Sequence, residues 1–188
     1  MPNIKTCQWP SDDPLMVKYH DTEWGVPLHN DRKLFEFLVL DAFQAGLSWR
    51  TVLHKRANFK KAFSNFDPIK ISKYTQRDIN RLLKDAGIIR NRLKIQATIT
   101  NAQAFLDIKK EYKSFDKYIW QFVEHKPIKN KFAKISEIPA KTDISDKMSL
   151  DLKEKGFKFV GSTICYAFMQ AAGMVNDHEI SCFRYKQV

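Results

Sequence analysis

Leu152-Lys-Glu-Lys-Gly156-Phe-Lys-Phe-Val-Gly161-Ser-Thr-Ile-Cys-Tyr-Ala-Phe-Met169 closes one helical pattern, passes two glycines and opens another. The first helix reads from Asp143 to Lys155, the second from Ser162 to Gly173. Gly156 and Gly161 are expected to give the turn conformations closed to other residues and to let a phosphate approach the backbone. Free N–H groups at the start of the second helix can then bind that phosphate. Lys153, Lys155 and Lys158 add positive charge beside the turn. On spacing alone the stretch reads more readily as an ordinary helical hairpin, because short glycine turns are common.

Outward from the hairpin, the chain is helical nearly throughout. Between Asp31 and Gly46, Leu34, Phe35, Leu38, Val39 and Phe43 recur at three- and four-residue spacing, with Asp31 able to cap the start. Ser48 opens a second helix through Val52 and Leu53. Asp67-Pro68 reads as an N-cap followed by proline at the first helical position. Thr75-Gln-Arg-Asp78 resembles a capping box, and Gly87 is placed to end that helix. Asn91 to Leu106 and Phe115 to Val123 carry two more helices, and Lys126 to Thr142 reads as an irregular connection. No segment alternates with period two for long enough to predict a strand. The reading is all-α, one unit over 1–188, with two helical lobes as the variant in which both termini pack together.

The 188 residues are 44% hydrophobic, enough for a sizeable core. Thirty-two Lys and Arg against 21 Asp and Glu give a net charge of +11, which favours a polyanionic partner. Charge alone leaves nucleic acid, an anionic membrane surface and a merely basic protein open. The most apolar stretch, Gly161 to Val175, is too short and too interrupted by Ser162, Thr163 and Gln170 to span a bilayer. Met1-Pro-Asn-Ile-Lys-Thr carries no apolar leader. Arg81, Lys84, Arg90, Arg92 and Lys94 form a second basic cluster that could flank a DNA path, and Lys55, Arg56, Lys60 and Lys61 a third. Each member taken singly reads as part of a solvated helix face.

Two pairs of metal-type residues stand at opposite ends of the chain: Cys7 and His20, His178 and Cys182. Thiolate and imidazole both suit Zn²⁺, and a Cys₂His₂ set is a natural tetrahedral site. One ion holding all four would tie the two ends of the fold together. Such a site leaves no position open for water, so the expected zinc is structural. The third cysteine, Cys165, sits in an apolar stretch as a buried thiol. Three cysteines make no disulfide framework, and a reducing cytoplasm fits them. His29, His54 and His125 have no such company and read as surface or packing residues.

Cys7-Gln-Trp9, Tyr19-His20-Asp21-x-Glu23-Trp24-Gly25, Gln44-Ala45-Gly46-Leu47-Ser48-Trp49 and the run from Gly156 to His178 resemble the 3-methyladenine DNA glycosylase I family, from Cys7 to Cys182. The resemblance implies the helix-hairpin-helix DNA glycosylase fold with a zinc site joining the N- and C-termini. It implies a monofunctional hydrolase that removes 3-methyladenine from alkylated double-stranded DNA in base excision repair, acting as a monomer with no obligate protein partner and no membrane. Carried onto this chain, Trp9, Tyr19, Trp24 and Trp49 would be the aromatic walls of a pocket for a flipped base, although any one of them alone reads as core packing. Gly46 and Leu47 match the loop that enters the gap left by that base. Lys158, Gly161, Ser162 and Thr163 would meet the DNA backbone. The resemblance also puts Asn176 where other helix-hairpin-helix glycosylases carry an aspartate, and no lysine follows the hairpin to act as a lyase nucleophile.

One residue departs from the pattern. The family's pocket acid is a glutamate in a Leu-Glu-Gly/Ser-x-Gln context, whereas this chain reads Leu40-Asp41-Ala42-Phe43-Gln44. Asp41 keeps the charge but is one methylene shorter, a retreat of roughly 1.5 Å. Its expected role is the catalytic and base-recognising acid, with weakened or altered selectivity. Three other readings remain at this stage: a silent lesion-binding protein, a glycosylase for another alkylated base, and a zinc-stabilised adaptor without a pocket. Asp41 itself could be only a solvated polar residue on an amphipathic helix.

Overall fold

The computed structural model describes residues 5–188. The opening segment Met1 to Ile4, included above in the stretch without an apolar leader, lies outside the described residues. The helices among them are α1 (Pro14–Thr22), α2 (Asp31–Gln44), α3 (Trp49–Ala62), α4 (Pro68–Ile71), α5 (Gln76–Lys84), α6 (Arg92–Tyr112), α7 (Phe115–Trp120), α8 (Asp143–Glu154) and α9 (Ser162–Ala171). Helix accounts for 61% of the chain and strand for 2%, so the all-α expectation holds. None of the helices is long and apolar enough to cross a membrane.

The caps explain where most helices begin. Asp67 accepts from the backbone N–H of Ile69 and Lys70, with Pro68 supplying the pre-set φ of the first turn. Ser48 accepts from Thr51 N–H and Asn91 from Lys94 N–H, and Asp78 reaches back to Thr75 N–H at 3.0 Å. At α2 the cap is Asn30 rather than Asp31: the Asn30 side chain accepts from Lys33 N–H. Asp31 instead accepts from Asp116 N–H and pairs with Lys109 at 2.8 Å, so tertiary partners claimed the residue the local pattern nominated. Helix α5 ends at Lys84, before Gly87, because Asp85 turns to extended φ/ψ. A Cβ at Gly87 would stand 2.9 Å from Asp85 Oδ1 and 3.1 Å from the Asn58 side chain, so close packing is what favours glycine there.

Helix α2 is the axis of the core. Every residue from Leu34 to Phe43 is buried, and α3, α6, α7 and α9 pack around it. Phe35 meets Phe105 at 5.0 Å between ring centroids, and Phe43 meets Phe59 at 4.7 Å. Each such ring contributes about 1.5–3 kcal/mol by leaving water. The buried apolar residues form a contiguous cluster that takes in both Cys7 and Cys182.

Helices α8 and α9 form the hairpin expected from the sequence. A two-residue parallel pairing of β1 (Ile128–Lys129) with β2 (Val175–Asn176) stitches the irregular connection to the segment after α9. Two residues are too few to leave an alternation in sequence, which is why no strand was predicted. Gly173 ends α9 with φ +66°, and a Cβ there would overlap the backbone of Val26 and Pro27. Gly173→Ala should therefore cost about 3 kcal/mol, or about 10 °C of melting temperature, in thermal unfolding followed by circular dichroism. A shift of under about 2 °C would refute that close approach.

Candidate functional site

Five elements converge on a cavity of about 310 Å³ beside α2, a volume at the lower end of the small-molecule range. Its lining includes all five residues singled out as pocket residues: Trp9, Tyr19, Trp24, Asp41 and Trp49. Trp9 approaches Trp24 edge-on at 5.1 Å between centroids, and Tyr19 lies 5.1 Å from Trp49 at a 46° tilt. The one reading without a pocket, the zinc-stabilised adaptor, is thus removed. Three lining residues carry a buried polar atom with no partner among the described residues: Trp9 Nε1, Trp49 Nε1 and Asp41 Oδ2. Buried polar groups are normally satisfied, so two orphan donors and one orphan acceptor around one cavity point to a ligand with both kinds of group.

Asp41 is 2% exposed and is not a solvated residue of an amphipathic face. Burial pushes its carboxyl well above the ordinary range, and only the nearby Arg56 guanidinium opposes this. Burial likewise raises Tyr19, with the Asp41 charge adding to it. Arg56, read above as part of a solvated basic face, is instead held in a half-buried ion triad. Its Nη1 donates to Glu23 at 2.8–2.9 Å and its Nε to Glu36 at 2.7 Å. The guanidinium also lies 5.1 Å from the Phe37 ring centroid. Sequence gave no sign of this, because Glu23, Glu36 and Arg56 come from three separate segments.

Behind the aromatic wall, Cys7, His20, His178 and Cys182 are all buried, with their ligand atoms within 4.8 Å of one another. Four of the six separations lie between 3.1 Å (His178 Nδ1 to His20 Nε2) and 3.8 Å (Cys182 Sγ to His178 Nδ1). A tetrahedral ion with Cys₂His₂ ligands has edges of roughly 3.3–3.8 Å, so the four donors fit a metal. The outer nitrogens fit too. His20 Nδ1 lies 2.7 Å from Asp21 and His178 Nε2 3.1 Å from the Trp24 carbonyl, leaving the other nitrogen of each ring free to face the cluster. Burial holds both imidazoles below their usual pKa, His178 down to about 4, and so in the neutral, ligating form. Tyr19 and His20 are neighbours on α1, so one helix serves both pocket and cluster. Trp24 stands 4.6 Å from the His178 ring and Trp9 5.5 Å from His20. Cys165 is apart from the cluster, a buried thiol donating to the Val160 carbonyl.

The expected DNA-facing residues lie on two turns. In the first, Gly46 takes φ +77° with open space around it, and Leu47 is 43% exposed. In the hairpin, Gly156 is left-handed at φ +91°, but Gly161 is not: it has ordinary φ −64° at the N-cap of α9. The second left-handed residue is Phe159, at φ +56°. Gly161 matters through room instead, since no side chain caps α9 and nothing would lie within 4 Å of a Cβ there. Ser162 and Thr163 begin that helix, and Asn101 holds Lys158 through both its N–H and its carbonyl.

The methyladenine glycosylase family model matches residues 9–185. The chain belongs to that family. This glycosylase is 50% identical over 182 residues to DNA-3-methyladenine glycosylase 1 of Escherichia coli strain K12, covering 97% of each chain. It matches a crystal structure of 3-methyladenine DNA glycosylase I with TM-score 0.93 and 51% identity, over 95% of this chain and 98% of the other. A variant of such an enzyme solved in complex with 3-methyladenine matches with TM-score 0.92 and 36% identity, over 95% and 96%.

The glycosylase pocket has walls that the sequence did not reveal. Ile135 and Ile138 reach it from the irregular connection after α7, and Gln170 and Ala171 from α9. Gln170 Nε2 donates to Asp177, so the acceptor end of that amide is left for other partners. Asp177 also accepts from Tyr166 and Asn130, which turns it away from His178 as expected. The signal for Ile135 and Ile138 was faint: they are two of three isoleucines in a lysine-rich loop.

Proposed function

We propose that the glycosylase works by capturing a flipped, alkylated adenine between Trp9, Tyr19, Trp24 and Trp49, with its polar edge at Asp41. The reaction is excision of 3-methyladenine from alkylated DNA in base excision repair, in line with the family and the named relatives. The observation that carries the site assignment is the unpaired Asp41 Oδ2 inside an aromatic cavity.

An alkylated adenine is cationic in the nucleoside, so aromatic faces attract it by about 0.5–2 kcal/mol each. It is also a good leaving group. The N-glycosidic bond breaks with its electron pair passing to the base, which leaves neutral, while water adds to the sugar carbon and loses its proton to solvent. No protein acid has to protonate the base. Asp41, as carboxylate, accepts from the base and favours its cationic form; an undamaged, neutral base carries no charge and gains neither attraction.

Asn176 is not a substitute base. Its amide donates to the Tyr185 and Val188 carbonyls, which commits it to holding the C-terminal segment. No lysine stands at Ser162-Thr163-Ile164 to form a covalent adduct, supporting monofunctional hydrolysis. The hairpin N–H groups and Lys158 hold the phosphates, and Leu47 fills the gap. A Zn²⁺ at the four-ligand cluster would be structural, holding the termini behind the pocket wall; cytoplasmic, monomeric action as one unit on duplex DNA completes the reading.

Incubation with methylated duplex DNA, with released bases identified by chromatography, tests this. Free 3-methyladenine is expected as the main product. Tight binding with no released base would replace the reading with a silent lesion-binding protein.

A further inference from the structure

We propose that Lys94 is a positioning residue that locks the Gly46–Leu47 loop to the DNA-anchoring hairpin, so that wedge and phosphate anchor move as one body. This rests on the wedge reading of that loop given above.

Lys94 was expected on a solvated basic face, but it is 6% exposed. Its ammonium enters the protein and donates to the Phe43 carbonyl at 2.8 Å and to the Ala45 carbonyl. These carbonyls belong to the last turn and the C-cap of α2, where no intrahelical N–H remains to satisfy them. A cation there also complements the negative end of the α2 dipole. The same charge sits in the first turn of α6, where that helix's own dipole disfavours it. No carboxylate pairs with Lys94 among the described residues. A buried cation held only by carbonyls is costly, and a solvated lysine at this surface would avoid the cost.

What the cost secures is visible on both sides of α6. Lys94 Nζ lies 5.8 Å from the centroid of Phe159, the left-handed residue of the hairpin turn. Further along α6, Asn101 accepts from Lys158 N–H at 2.8 Å and donates to the Lys158 carbonyl at 3.0 Å. One helix thereby grips the turn that meets the phosphate and, through Lys94, the residue immediately before Gly46. The loop itself has little else to fix it: Gly46 has open space around it, and Leu47 makes only a local bond to the Gln44 carbonyl.

The test uses the full chain and a duplex with an abasic-site analogue next to 2-aminopurine, whose fluorescence reports insertion at the gap. Lys94→Met is expected to weaken duplex binding about tenfold and to diminish the fluorescence change. Affinity for free 3-methyladenine, read by tryptophan fluorescence, should stay within about twofold. Lys94→Gln, whose amide can still donate to a carbonyl, should fall between; it also carries the test if Lys94→Met fails to fold. Wild-type duplex binding and insertion in these variants would overturn the proposal, as would an equal loss of free-base and duplex binding. Leu47→Ala separates the two readings. If it leaves insertion unchanged, the wedge reading fails; if it abolishes insertion while Lys94→Met does not, only the role of Lys94 fails.

Discussion

Asp41→Asn should lower the rate of 3-methyladenine release from duplex DNA by about 10–150-fold, the loss of one hydrogen bond to a charged group worth about 1.5–3 kcal/mol. The amide keeps the shape but removes the charge and presents a donor where the base also donates. Asp41→Glu should keep the rate or raise it, because the longer acid closes the roughly 1.5 Å retreat. Equal rates in wild type and both variants would remove Asp41 from the mechanism. Wild-type activity should also fall on the acid side at a pH above the ordinary carboxylate range, since burial raises this group, and Asp41→Asn should lack that limb. The same shift fixes a stability effect of opposite sense. A carboxyl whose pKa is raised on folding stabilises the native state only below its unfolded value, about 3.9, and that contribution is lost as pH rises through the folded value. At pH 7, well above the unfolded value, the buried Asp41 is therefore a burden, and Asp41→Asn should melt higher than wild type. The advantage should vanish below pH of about 4. A residue that costs stability and supports activity is what a binding site requires.

Metal removal should have the second large effect, and it should reach beyond stability. Stripping the ion with a strong chelator, or Cys182→Ser, should cost at least about 3 kcal/mol and lower the melting temperature by about 10 °C. Because Trp24 packs on His178 at 4.6 Å and Trp9 on His20 at 5.5 Å, affinity for free 3-methyladenine should fall with it. Returning Zn²⁺ should restore both in the chelated wild type and not in Cys182→Ser. Unchanged melting after verified removal of the metal would contradict the structural role.

What the sequence made legible follows from how far apart the interacting residues lie. Caps such as Ser48, Asp67 and Asn91 bond within three residues, so a local reading finds them. Cys7, His20, His178 and Cys182 are distant in sequence, yet their chemistry is rare enough to nominate one another, and they meet. Lysines, arginines and isoleucines are common, and their types carry no such signal. Arg56 and Lys94 therefore looked like surface, and only the folded chain brings Glu23, Glu36 and the α2 carbonyls to them. Ile135 and Ile138 were hidden in the same way, in a loop whose lysines dominate its composition. Gly161 was expected in a conformation that it does not adopt; what the fold gives it is open space at the start of α9.

The most direct test of the account is a crystal structure of this chain with 3-methyladenine. The base is predicted in the cavity beside α2, between Trp9 and Trp49, with a hydrogen bond to Asp41 Oδ2. An empty cavity at saturating base, or a base bound away from Asp41, would contradict it.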